Sequence, residues 1–265
     1  MNMYLHELKS YRKSTTIWSL TLIVIVVLFL SLFPSFLRDV EEFKGVLEGF
    51  PIEMRKAIGL SVDSFATLIG FYSYSFLYLK LCGAIQAMNL GVSIVSKETR
   101  EKTADFLLTK PVTRTQIITS KLLAALTSLF ITNVFFISAT LIMASIVATV
   151  DYSVKVLFMI GISLFFIQLI FLALGVIVSV VFTKIKSVIS VSLGSVFAFF
   201  MIAMIGSSTE DTALRYITPF NYFNSSYIVE HSSYEGLFII TGALIILICI
   251  ITSYIVYRKK DVHTV

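Results

Sequence analysis

The residues able to do acid–base, metal or nucleophilic chemistry in this 265-residue chain are few and scattered. His6, His231 and His263 all fall outside the long apolar runs. His6-Glu7 opens like a zinc-protease helix, but Ser10 stands where the second histidine is required. Cys82 and Cys249 fall inside apolar runs and read as packing residues rather than a disulfide or metal pair. No G-x-x-x-x-G-K-[ST] loop is present to cradle nucleotide phosphates. Lys80 is the one ionisable residue well inside an apolar run, and no carboxylate accompanies it, so an ion-coupled proton relay lacks its parts. Catalysis by this chain is therefore not expected.

The elements that must hold these residues are membrane spans. Hydrophobic residues make up 57% of the chain and charged residues 14%, with a mean hydropathy of +0.91. That composition belongs to polytopic membrane proteins. Runs long enough to cross about 30 Å of hydrocarbon predict spans near 17–33, 65–95, 122–150, 156–182, 187–207 and 236–257. The first lacks a small-x-small cleavage pattern and reads as retained rather than as a signal peptide. The expected fold is all-α, a single domain over 1–265 with six transmembrane helices.

Charge sets the expected orientation. With both termini cytoplasmic, the inner segments hold 14 basic and five acidic residues, and the outer segments six and eleven. The formal net charge of +5 is thus a topology signal with anionic lipid as a neighbour. No basic face interleaved with aromatics suggests nucleic acid. Residues 1–16 read as an amphipathic helix, with Tyr4, Leu5, Leu8 and Tyr11 near helical spacing and Lys9, Arg12 and Lys13 towards headgroups. Outer loops are expected at 34–63, as helices on the membrane face, and at 210–235. The second is rich in aromatics around Pro219 and suits a re-entrant or interfacial pair.

The second span carries two stripes. Gly83, Ala87 and Gly91 recur every four residues and permit close helix approach. Cys82, Gln86, Asn89 and Ser93 form a polar neighbour that must face protein or water. These residues line either a helix interface or a transport route. Lys80, set back from the inner end, has three readings: snorkelling to the outer interface, pairing with a partner, or touching substrate.

Charge is densest in residues 96–121, with six basic and three acidic side chains between two apolar runs. Residues 97–110 read as a short helix ended by Pro111. Glu98, Glu101 and Asp105 share one face of it, with Phe106 and Leu107 nearby. Thr113-Arg114-Thr115-Gln116 is a capping-box pattern that starts the next helix, through Lys121 into the third span. A contact on this segment would move two spans at once. A solvated loop is the plainer reading.

The segment resembles the signature of permease subunits of ABC-2 type transporters, E-x-x-x-x-T-x-x-x-L-L-x-x-P-V-x-R-x-x-x-x-x-x-K. It stands here as Glu98, Thr103, Leu107, Leu108, Pro111, Val112, Arg114 and Lys121. Pro51 to Gly59 and Pro219-Phe220-Asn221-Tyr222 are also similar to that family. The resemblance implies a type V exporter-like fold with an N-terminal amphipathic helix and outer interfacial helices. It makes 97–110 a coupling helix against a separate ATPase subunit, through Glu98, Glu101, Thr103, Asp105, Phe106, Leu107, Pro111 and Arg114. ATP and Mg would then bind the partner, with no cofactor on this chain. A second permease copy or paralogue would complete the route in a plasma membrane, by resemblance bacterial. The compact form is similar to permeases that expel drugs, bacteriocins or peptide toxins such as phenol-soluble modulins. A stand-alone channel or scaffold is the competing class.

Overall fold

Between Met3 and Phe33 the sequence has neither glycine nor proline, and nothing there interrupts a helix. In the computed structural model α1 accordingly runs unbroken over Met3–Arg38. The residues described are 3–38, 45, 49–51, 54, 67–101, 112–149, 151–182, 185–209 and 212–259. The expected amphipathic helix 1–16 is thus no separate element but the start of the first span. The hydroxyls of Thr15, Thr16 and Thr21 donate to the carbonyls of Tyr11, Arg12 and Ile17 one turn back. Polar side chains find a partner this way within the helix itself. Leu5, expected on the apolar face, is instead exposed, while Glu7 is buried.

The chain is an all-α membrane protein. Among the described residues there is no strand, and six helices are long and apolar enough to span a bilayer. After α1 come α2 (Leu68–Glu101), α3 (Arg114–Val147), α4 (Val154–Val181) and α5 (Val188–Thr209). Two short helices follow, α6 (Thr212–Ile217) and α7 (Ser225–His231), with a 3-10 turn at Pro219–Asn221 between them. The last span is α8 (Gly236–Lys259). In lipid no water can satisfy a bare peptide group, so continuous helices are what this composition permits. Of the loop after α1 little is described beyond a turn in which the Met54 amide donates to the Pro51 carbonyl at 3.0 Å. The helices expected there otherwise lie outside the described residues.

α2 packs most extensively on α4, and α1 on α3; α4 also carries α8, and α5 leans on α2. The inward stripe of α1 is Ser19, Leu22, Val26, Leu30 and Phe33. The outward residues Ile17, Leu20, Val24, Leu28 and Leu32 keep more than half their surface open, as lipid contact requires. α4 is the most enclosed span and α8 the least.

The α2–α4 contact rests on backbone meeting backbone. A Cβ on Gly91 would lie 2.4 Å from the Leu172 carbonyl oxygen, and one on Gly175 2.8 Å from that of Met88. Lipid tails are as apolar as leucine, so helices associate through such close van der Waals approach rather than through water exclusion. Gly91→Ala and Gly175→Ala are each expected to destabilise the fold by about 1–3 kcal/mol. Gly194→Ala, with nothing within 4 Å of its Cβ position, should be neutral or slightly stabilising. Unfolding in detergent by heat or denaturant measures all three.

Candidate coupling base and intramembrane polar site

α3 begins where its first residues dictate. The Thr113 hydroxyl accepts from the Gln116 amide at 3.2 Å, and the Gln116 side chain accepts from the Thr113 amide at 2.9 Å. This is the capping box read from the spacing. The span therefore starts at Arg114 rather than Leu122, and its base stands directly after the charged loop. Both chain-terminal helices fasten there. The Arg114 guanidinium reaches the Tyr257 carbonyl at 3.5 Å, near the C-terminus of α8, where a cation is favoured by the helix dipole. Thr119 shares a hydrogen bond with the Tyr254 hydroxyl at 2.7 Å. Lys121 pairs with Glu7 of α1 at 3.1 Å, and Thr127 with the Tyr4 hydroxyl at 3.0 Å.

Of the residues expected to touch an ATPase subunit, Arg114 is the one whose side chain is described, half-buried against α8. The backbone of Glu98 and Glu101 closes α2, which runs on from the span without a break. Their side chains, together with Thr103, Asp105, Phe106, Leu107 and Pro111, lie outside the described residues.

Inside the bilayer, the stripe of small residues faces α4. A Cβ on Gly83 would sit 2.6 Å from the Leu164 side chain, and Ala87 is fully buried. Gln86, one step round, turns into a hydrogen-bonded chain that crosses four helices. Ser19 of α1 donates to Thr132 of α3 at 3.2 Å, and the Gln86 amide donates to the same hydroxyl at 2.9 Å. The Gln168 amide of α4 donates to the Gln86 carbonyl at 3.1 Å, and Asn133 donates to Gln168 at 2.5 Å. Every member is buried. The polar residues of α2 thus divide, because Asn89 remains half-buried with no hydrogen-bond partner among the described residues.

Lys80 does not snorkel. Its side chain is buried, and its ammonium donates to the Phe223 carbonyl at 2.9 Å and lies 5.3 Å from the Phe76 ring centre. Phe223 belongs to the wedge between α5 and α8, where Phe220, Tyr222 and Phe223 are buried. Thr218 donates to the Phe199 carbonyl at 2.9 Å and Asn221 to the Ala203 carbonyl at 3.3 Å, tying the wedge to α5. Arg215 pairs with Glu235 and covers the Phe238 ring at 4.2 Å. The Tyr234 hydroxyl donates to the Met159 carbonyl at 2.7 Å, and burial pushes its pKa up to about 12. It therefore keeps its proton at physiological pH. Asn224, in an N-x-S sequon, caps α7 by accepting from the Ser226 amide at 2.8 Å.

Sequence reasoning missed the partner of Glu7. Its one signal was a carboxylate at helical spacing with Tyr4, Leu8 and Tyr11, on the face opposite the basic residues. Gln168→Leu would leave the Gln86 carbonyl without its donor and is expected to cost about 0.5–2 kcal/mol. Ser145→Ala, on an exposed face of α3, should change stability by less than about 0.5 kcal/mol. Paired unfolding curves in one detergent check both.

A family sequence model described as "ABC-2 family transporter protein" matches residues 1–262, taking in every spanning helix and the loop between α2 and α3. No curated protein matches the chain significantly. With six spans among the described residues, an acidic and basic loop between two of them, and a match over almost its whole length, the chain belongs to the ABC-2 transporter family as a permease, the non-catalytic membrane-spanning component of an ABC transporter.

Proposed function

We propose that this permease is the membrane half of an ATP-driven exporter, paired with a second permease and driven by separate ATPase subunits that hold ATP and Mg. The observation that carries the reading is mechanical. α2 enters the charged loop as an unbroken helix at Glu101, and α3 leaves it fully capped at Arg114. A partner gripping residues 98–111 therefore holds two rigid spans by their ends. ATP binding draws the gripped loops of two permeases together and switches the route between them. Both termini and the loop then lie in the cytoplasm of a bacterial cell, with the Lys80-anchored wedge at the outer face.

The route runs along the open face of α2. Tyr74, Tyr78, Cys82, Ile85, Asn89 and Ser93 succeed one another at spacings of three or four, and none is fully buried. An aromatic and weakly polar face of this kind suits an amphipathic cargo such as a peptide toxin or antimicrobial compound. A stand-alone pore through one copy is disfavoured, because Gln86, Asn133 and Gln168 are hydrogen-bonded to each other inside it.

Glu101→Lys combined with Phe106→Ala tests the grip. Interface energy concentrates in few anchors, each worth about 2 kcal/mol or more, roughly thirtyfold in affinity. Co-purification with the ATPase and stimulated hydrolysis should both be lost. Survival of both would refute the assignment.

A further inference from the structure

The Glu7–Lys121 pair is the most enclosed ion pair among the described residues. Its nitrogen and oxygen stand 3.1 Å apart, with the Lys121 side chain 2% and the Glu7 side chain 8% exposed, against 30% and 21% for Arg215–Glu235. Burying two charges returns little adhesion, since apolar residues of similar size often hold a contact at least as firmly. What an ion pair adds is direction. Nitrogen and oxygen must meet at one rotation and one height of α1 on α3, a constraint the weaker Tyr4–Thr127 and Ser19–Thr132 hydrogen bonds share and apolar contacts lack. The place matters as well. Lys121 sits about two turns above the Thr113 cap, at the foot of the helix that leaves the charged loop. On its other flank that foot is tied to α8 through Arg114 and Thr119. Glu7 itself lies on turns of α1 whose exposed Lys9, Arg12 and Lys13 suit anionic headgroups.

We infer that Glu7 is a positioning residue: its ion pair with Lys121 fixes the register of the N-terminal turns of α1 on the base of α3. Motion entering at the loop then carries the N-terminal helix and its basic face along with α3. The inference rests on the exporter reading above for the source of that motion, and on the geometry of the pair for its transmission.

The test uses the full-length permease with its ATPase subunit in proteoliposomes. Glu7→Gln removes the Glu7 carboxylate from the buried pair and is expected to lower thermal stability. Glu7→Met with Lys121→Met removes both charges and is expected to keep the native thermal midpoint and ATPase binding. Spin labels at Lys9 and Leu123, both exposed, are placed in a background without Cys82 and Cys249. Their distance distribution should be narrow in the parent and broad in the double variant. Transport per ATP hydrolysed should fall roughly two- to thirtyfold. A double variant whose label distances and transport both match the parent overturns the positioning role and leaves the exporter reading intact. A parent complex that hydrolyses ATP without moving cargo overturns the exporter reading, and the inference with it.

Discussion

Where α2 crosses α4, glycine meets glycine, with Gly91 and Gly175 bringing two backbones into direct contact. In hydrocarbon no water is released when apolar helices meet, so distance of approach decides how firmly they hold. The rest of the molecule hangs from this crossing. It places Gln86 within reach of Gln168 and Thr132, and through Thr132 it draws in Ser19 of α1. α5 and α8 then lean on the pair, and the wedge between them is held by Lys80 at the Phe223 carbonyl and by Arg215 at the Asn221 carbonyl. A side chain at either glycine would push α2 off α4 and break the hydrogen-bonded chain at its middle.

This arrangement consumes the interior. Ser75, Lys80, Gln86 and Ser96, buried on α2, are bonded to other helices, to the wedge or back to their own backbone, and the small stripe is filled by α4. On the proposed exporter reading, the cargo takes the partly open face with Tyr78 and Asn89, and a second copy closes it. A body that rigid also suits a lever. Force applied at the loop meets capped, unbroken helices, and the foot of α3 is fastened to both ends of the chain.

Much of this was legible in the residues. Span number follows from apolar length, the start of α3 from Thr113 and Gln116, and close packing on α2 from the spacing of Gly83, Ala87 and Gly91. The loop pattern that resembles the ABC-2 signature pointed to the family. Pairings were not legible, for physical reasons. Glu7 meets Lys121 across 114 positions of chain, and periodicity that sets a carboxylate beside Tyr4, Leu8 and Tyr11 does not say which distant cation it meets. Lys80 finds a backbone carbonyl, which every residue possesses and no side chain advertises. The boundary expected near residue 16 followed the charge pattern, but a helix ends only where the backbone is given a reason to stop, and neither glycine nor proline gives one there.

The central claim is that a rigid α2–α4 body is levered by an ATPase seated on the loop between α2 and α3. A structure of the complete assembly, solved with and without nucleotide, tests it most directly. The account predicts that residues 98–111 are enclosed by the ATPase in both states, and that Gly91 and Gly175 stay in contact while whole permeases shift against each other. A loop left in open water, or an α2–α4 crossing that parts between the two states, would contradict it.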